Sequence, residues 1–462
     1  MRTESLANRP AATASHPIVR VGADRLVAYQ LEFDAGDLLA LARAATTVPQ
    51  VGWVDLAAGR TWVGFGVADE VLAYSAEEAL AAPDRCRDRL ASVCLEGVEQ
   101  GALRYFGGIA FDPESTPHPL WKAGLPARFV LPEVTLRQDA GQTRATATLV
   151  LSLLPGEPID TWQAHVDALL ERLERWKEAA EGARPCPFSA HRIPGLVHRD
   201  RWSQQIRTAL ANLDRHEKVV LAREIWLEQA GLPDPWSLIE RFPAAVRGHR
   251  FCFRFDAATA FVGATPERLV SVEGDRLHAD CLAGTTARGR DAAEDDLLAS
   301  DLLANDKERR EHAFVVEAVK EALGPFCRST TCPDEPSVLR LPNLQHLHTP
   351  FEGELSGSAS LGAILAALHP TPAVCGVPKA KALATIRDLE PNPRGWYAGA
   401  VGWIGSEAAE FAVGIRSAIL HPMGAIAFTG AGVVAGSDPD AEYEETERKA
   451  APLLAILEGR SP

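Results

Sequence analysis

The apolar positions change period along the chain, and those changes outline its elements. From about residue 27 to 155, short runs in the strand period alternate with turns, and helices are expected near 36–45 and 81–100. WVDLAAGRTWVGFG (53–66) reads as a hairpin, two aromatic-rich runs around a Gly-containing turn. RYFGGIAFD, ARFVLPEVTLRQ and TRATATLVLSLL continue the strand pattern. Over 160–183 the period turns helical, with Trp162, Val166, Leu169, Leu170, Leu173 and Trp176 in one stripe. ARPCPFSAHRIPG (183–195), with three prolines, marks a break. Beyond it come a helix (DRWSQQIRTALANLDRHEK), a strand pair and the hairpin LVSVEGDRLHAD. One long helix over 291–323 follows, then strands, a helix in KAKALATIRDLE, more strands and a last helix over 441–457. Hairpin-linked strands with scattered helices and no βαβ repeat indicate an α+β fold around a large sheet system.

The 462 residues are 46% hydrophobic, enough for a large core. A formal charge of −15 without a basic run argues against nucleic acid as a partner. No apolar run is long enough to span a membrane, and residues 1–22 read as a disordered tail without a signal-peptide core. None of the eight cysteines forms a CxxC pair, so the cytoplasm is the expected compartment.

Several polar groups stand at the edges of apolar elements. Lys218 opens the strand KVVLAREIWLE, where it either snorkels at the sheet edge or enters a pocket that lowers its pKa. Glu267 in TPERL ends a turn, and Gly284-Thr285 offers backbone N–H groups and a hydroxyl to an anion. Glu308 and Glu311 share one helix face, as do Glu442, Glu445 and Lys449 on the last helix. Such stripes are either solvated faces or oxygen ligands for Mg2+. His346 and His348 form HxH, a zinc half-site or a neutral hydrogen-bonding imidazole. Arg416, inside FAVGIRS, needs an anionic partner. Gly430 and Gly432 in TGAGVV allow close backbone approach, but the segment is not a dinucleotide fingerprint.

In this order the segments KVVLARE, GATPERL, CLAGTTARG, NDKERREH, LQHLHTPFEGEL, HPTPAVCG, RGWYAG, FAVGIRS and TGAGVVAGSDPDAEYEET resemble the chorismate-utilising enzyme family. The match covers about residues 195–455 and is looser before that, through RYFGGIAFDP and ARFVLPEVTL. The resemblance implies an α+β fold with a large antiparallel β-sandwich surrounded by helices. Residues 23–194 would be an accessory region of the same unit as the catalytic region 195–457.

It further implies Mg2+ held by Glu308, Glu311, Glu442 and Glu445, with Lys218 as general base and Glu267 as general acid. Gly284, Thr285, His346, Ala373, Tyr397, Ile415, Arg416, Gly430, Gly432 and Lys449 would bind chorismate. Members that add water carry lysine at the position of Lys218, and those that add ammonia carry glutamine. Isochorismate synthase is therefore the expected activity, without a glutaminase partner, in a monomer or weak homodimer. Salicylate synthases, which have threonine where this chain has Ala373, are the alternative, followed by ammonia-using anthranilate synthase subunits. Thr286 and Thr265 depart from the common arginine and serine of relatives.

Overall fold

The computed structural model describes residues 18–21, 24–91, 98–99, 101–116, 119–121, 125–153, 162–182, 189–193, 199–213, 217–229, 231, 233–242, 248–340, 344–357 and 359–460. Among them, two antiparallel sheets of 13 and 10 strands carry the fold. The centre of the larger runs Gln50–Asp55, His249–Arg254, Ala260–Thr265, Ser417–His421, Gly424–Val433, Lys218–Glu228. The smaller runs Leu344–Leu355, Arg276–Ala287, Arg268–Glu273, Ala408–Val413, Ala400–Ile404, Tyr105–Ile109 at its centre. Strands far apart in sequence are thus neighbours: Gln50–Asp55 pairs with His249–Arg254, and Tyr105–Ile109 with Ala400–Ile404.

Alternation along the strands feeds two cores. In His249–Arg254, Phe251 and Phe253 join a cluster with Trp53, Phe106, Phe261 and Phe411, residues drawn from both sheets. Cys252 joins the other cluster, where helices Leu38–Ala44, Trp162–Ala180, Pro235–Arg241 and Pro439–Leu457 cover the larger sheet. Strands buried on both faces explain runs as apolar as FCF and FVGA. Removing a ring such as that of Phe251, wholly buried, costs about 3–5 kcal/mol.

The expected α+β architecture of antiparallel sheets and surrounding helices is observed. Both hairpins form, as do helices Arg199–Ala211, Lys379–Leu389 and Pro439–Leu457. Other expectations need correction. The helix expected over 81–100 begins earlier and spans Ala76–Ala91, while 92–97 lie outside the described residues. The single helix expected over 291–323 is two, Ala292–Ala304 and Asp306–Leu323. Asn305 ends one and caps the next, its side chain accepting from the Lys307 and Glu308 N–H groups. An N-cap residue needs extended dihedrals, and these break the helical path. The expected tail 1–22 lies largely outside the described residues, but Ile18–Val21 pairs with Asp24–Asp34. Within the break at 183–195, His191–Arg192 adds to the Lys218–Glu228 strand. No helix among the described residues is long and apolar enough to cross a membrane.

Candidate active site

Lys218 stands at the first residue of its strand, where Val377 pairs with it on one side. Two residues on, Val220 faces Gly432 across the other neighbour, and the lysine side chain lies over that glycine. A Cβ at Gly432 would be 3.0 Å from Lys218 Cε and 3.7 Å from Nζ. The missing side chain therefore makes room for the lysine. Burial lowers the ammonium's pKa, opposed by Glu311, Glu267 and Glu445 and reinforced by Lys449. The pocket reading of Lys218 thus prevails over snorkelling.

Glu267 follows the strand Ala260–Thr265, and its backbone carbonyl accepts from the Val413 N–H at 3.0 Å. Burial pushes its carboxyl up to about 7, against the pull of Lys218, Arg416 and the Thr371 hydroxyl. Arg416 is half-buried, and its own pKa is lowered by the loss of water despite Tyr397, Glu445 and Glu267 beside it. Its φ of +52° is a left-handed conformation, strained for a side chain of this size. Its Nη1 donates to the Lys449 carbonyl at 2.9 Å. Tyr397 stacks on Phe428 with centroids 4.9 Å apart, and a Cβ at Gly430 would be 3.2 Å from its hydroxyl. Ile415 precedes Arg416 in the same turn, half-buried, and Ala373 lies half-buried between Thr371 and Cys375.

Gly284 makes a bulge in the Arg276–Ala287 strand, with φ +76°. That bulge aims the Thr285 N–H at Glu308 Oε2, 3.0 Å away, and sets Thr285 Oγ1 2.9 Å from His346 Nδ1. Burial lowers the His346 pKa, favouring the neutral ring. His348 turns instead to Asp280, 2.7 Å away, so the two histidines serve different partners and form no zinc half-site.

The two acidic helix faces both bear on the pocket. Glu311 on Asp306–Leu323 and Glu445 on Pro439–Leu457 both act on Lys218. Lys449 Nζ lies 2.5 Å from Glu445 Oε1 and donates to the Gly430 carbonyl at 3.3 Å. Glu442 is raised by burial and by the neighbouring Glu445 and Asp438, although Ser437 and Lys449 lower it. No three of the four glutamates bring oxygens within 4.8 Å of one another among the described residues. The trio that does is Asp55, His249 and Glu410, where Arg268 lies 3.6 Å from Glu410 and already supplies positive charge.

The residue alternation left two groups unnoticed. Thr371 faces the Glu267 carboxyl, and nothing in HPTPAVCG singled it out from its neighbours. Arg394 is 5% exposed, pairs with Glu390, and donates to the Val220 and Val374 carbonyls at 2.7 and 2.8 Å. It clamps the Lys218 strand to the 369–376 loop, and the Glu390–Arg394 spacing of four was its signal.

A sandwich whose cleft pairs a half-buried lysine with a raised glutamate beside two acidic helices belongs to a recognisable class. The chain is a member of the chorismate binding enzyme family, whose model matches residues 13–458. It is 36% identical over 373 residues to the salicylate biosynthesis isochorismate synthase of Pseudomonas aeruginosa, covering 79% of this chain and 77% of that protein. It is 34% identical over 365 residues to isochorismate synthase MenF of Bacillus subtilis, covering 77% and 74%. The solved structure of MenF, the menaquinone-specific isochorismate synthase from Escherichia coli, aligns with a TM-score of 0.75 at 28% identity, covering 96% of both chains.

Proposed function

We propose that the chain is an isochorismate synthase, an isomerase that converts chorismate to isochorismate. One observation carries the reading: a lysine lowered by burial and a glutamate raised to about 7 act on each other across one cleft. That is the protonation pair needed to add water and expel hydroxide in one site.

Neutral Lys218 takes a proton from a water whose oxygen bonds to ring carbon 2. Both ring double bonds shift, from carbons 1–2 to 1–6 and from carbons 5–6 to 4–5, the bond from carbon 4 to its hydroxyl breaks, and Glu267 gives its proton to the departing oxygen, which leaves as water. Arg416 and Lys449 supply positive charge for the substrate carboxylates. Neutral His346, held by Thr285, and Tyr397 orient the enolpyruvyl ether, while Gly284, Gly430, Gly432, Ile415 and Ala373 shape the walls. Ala373 leaves this position without a hydroxyl, in keeping with a product that stops at isochorismate.

The donor chemistry suits Mg2+: the four glutamates of the two helix faces offer carboxylate oxygens, and Glu442 is raised by burial and by the like charge of Glu445, a repulsion a cation relieves. Glu308, Glu311, Glu442 and Glu445 would hold it. Bound there, Mg2+ would neutralise and orient the ring carboxylate. We assign the enzyme to the cytoplasm, as a monomer or weak homodimer with chorismate as its small-molecule partner. Residues 23–194 serve as an accessory region to 195–457.

Incubation of the pure protein with chorismate and Mg2+, with products separated by chromatography, tests the reading. Isochorismate is expected; free salicylate with pyruvate, or anthranilate with ammonium, would replace it with another member activity.

A further inference from the structure

One edge of the Lys218–Glu228 strand is paired from Val219 onward with Gly424–Val433. Along the other edge, strand partners among the described residues stand only at Lys218 and Val219, and again at Leu227 and Glu228. In the gap between them the backbone still needs partners, and one ion pair meets two of its groups. Arg394 donates to the Val220 carbonyl at 2.7 Å, and Glu390 accepts from the Ala222 N–H at 2.8 Å. The two side chains are 3% and 6% exposed, and Arg394 Nε donates to Glu390 at 2.8 Å. The guanidinium also packs over the Phe111 ring, 4.2 Å from its centroid. Its other arm goes to the loop, where Nη1 donates to the Val374 carbonyl at 2.8 Å. The Val374 and Cys375 N–H groups in turn donate to the Thr371 carbonyl at 3.1 and 2.9 Å, and the Thr371 hydroxyl faces Glu267. The Arg394 carbonyl accepts from the Tyr397 N–H at 3.1 Å. A planar, two-armed donor ties strand and loop at a fixed separation, which the single ammonium of a lysine does not.

We infer, on the strength of the reaction proposed above, that Glu390 and Arg394 are positioning residues for it: together they hold the strand of Lys218 at a fixed offset from the loop of Thr371, and so set the base relative to the acid. Two variants test this. Arg394→Lys keeps the charge but loses the two-armed tie, and Glu390→Gln combined with Arg394→Met leaves no lone buried charge. With chorismate and Mg2+, kcat should fall at least about 10-fold in the double variant and less in Arg394→Lys, with KM within about 3-fold of wild type. A second readout needs no turnover: the Glu267 carboxyl band, each variant compared by difference infrared spectroscopy with the same variant carrying Glu267→Gln. Lys218 and Thr371 both lower the Glu267 pKa, so loosening either should move the midpoint of that band upward. A double variant that melts lower yet keeps the wild-type kcat and midpoint would overturn the inference, leaving the pair a structural tie alone. A loss confined to KM would overturn it as well. Should the wild type make no isochorismate, the proposed reaction falls, and an unmoved midpoint would then overturn the positioning role separately.

Discussion

Two groups of carboxylates lose water on folding, with opposite results. Around Glu410, burial would raise the carboxyl, but His249, Arg268 and Trp53 more than offset it and hold it below the usual range. His249 Nε2 is 3.1 Å away and Trp53 Nε1 donates at 3.3 Å. Asp280 is held low in the same way by His278, His348 and Arg268. Glu267 faces two cations as well, Lys218 and Arg416, yet burial wins and it reaches about 7. Neither cation makes an ion pair with it within 4.0 Å. Close hydrogen-bonded partners fix a charge; more distant ones leave the proton available. The first arrangement ties the sheets together, and the second is suited to chemistry.

The largest effect expected from breaking this contrast is on turnover. Lys218→Ala and Glu267→Gln should each lower kcat by about 10^2–10^4-fold, with unchanged circular dichroism; wild-type rates in either would remove that residue from its role. Chelation of Mg2+ should likewise stop turnover, and Glu311→Gln should raise the metal concentration required for half-maximal rate. Glu410→Gln should instead spare the chemistry and lower stability by about 3 kcal/mol, because breaking a buried pair strands its partners; chemical denaturation at pH 8 measures it.

Glu267→Gln should move stability the other way. The folded carboxyl titrates near 7, above its ordinary value of about 4.3. Its contribution is therefore complete below the ordinary value and lost as pH rises through 7. The variant should melt higher than wild type at pH 8 and alike at pH 4, read by calorimetry. The smallest effect is that of Thr371→Val. Removing a hydroxyl that lowers the Glu267 pKa should shift the alkaline limb of the kcat/KM profile upward while the acid limb stays.

Legibility followed the range of the interactions. The hairpins, the Lys218 strand and the last helix are local patterns, and they could be read. The Asn305 break was also local, a cap followed by Glu308 three residues on, but the surrounding helical periodicity masked it. The pairing of Gln50–Asp55 with His249–Arg254 is set by packing over nearly two hundred residues and leaves no local mark. In the site, spacing gave the stripes of glutamates and the glycines beside Lys218. It could not give the depth of Glu267 or the separate fates of His346 and His348, because both depend on what the other sheet brings.

Difference infrared spectroscopy, wild type minus Glu267→Gln, reads the Glu267 carboxyl directly. A protonated-acid C=O band that disappears with a midpoint near pH 7 is the result this account predicts. A carboxylate already ionised at pH 5 would contradict it.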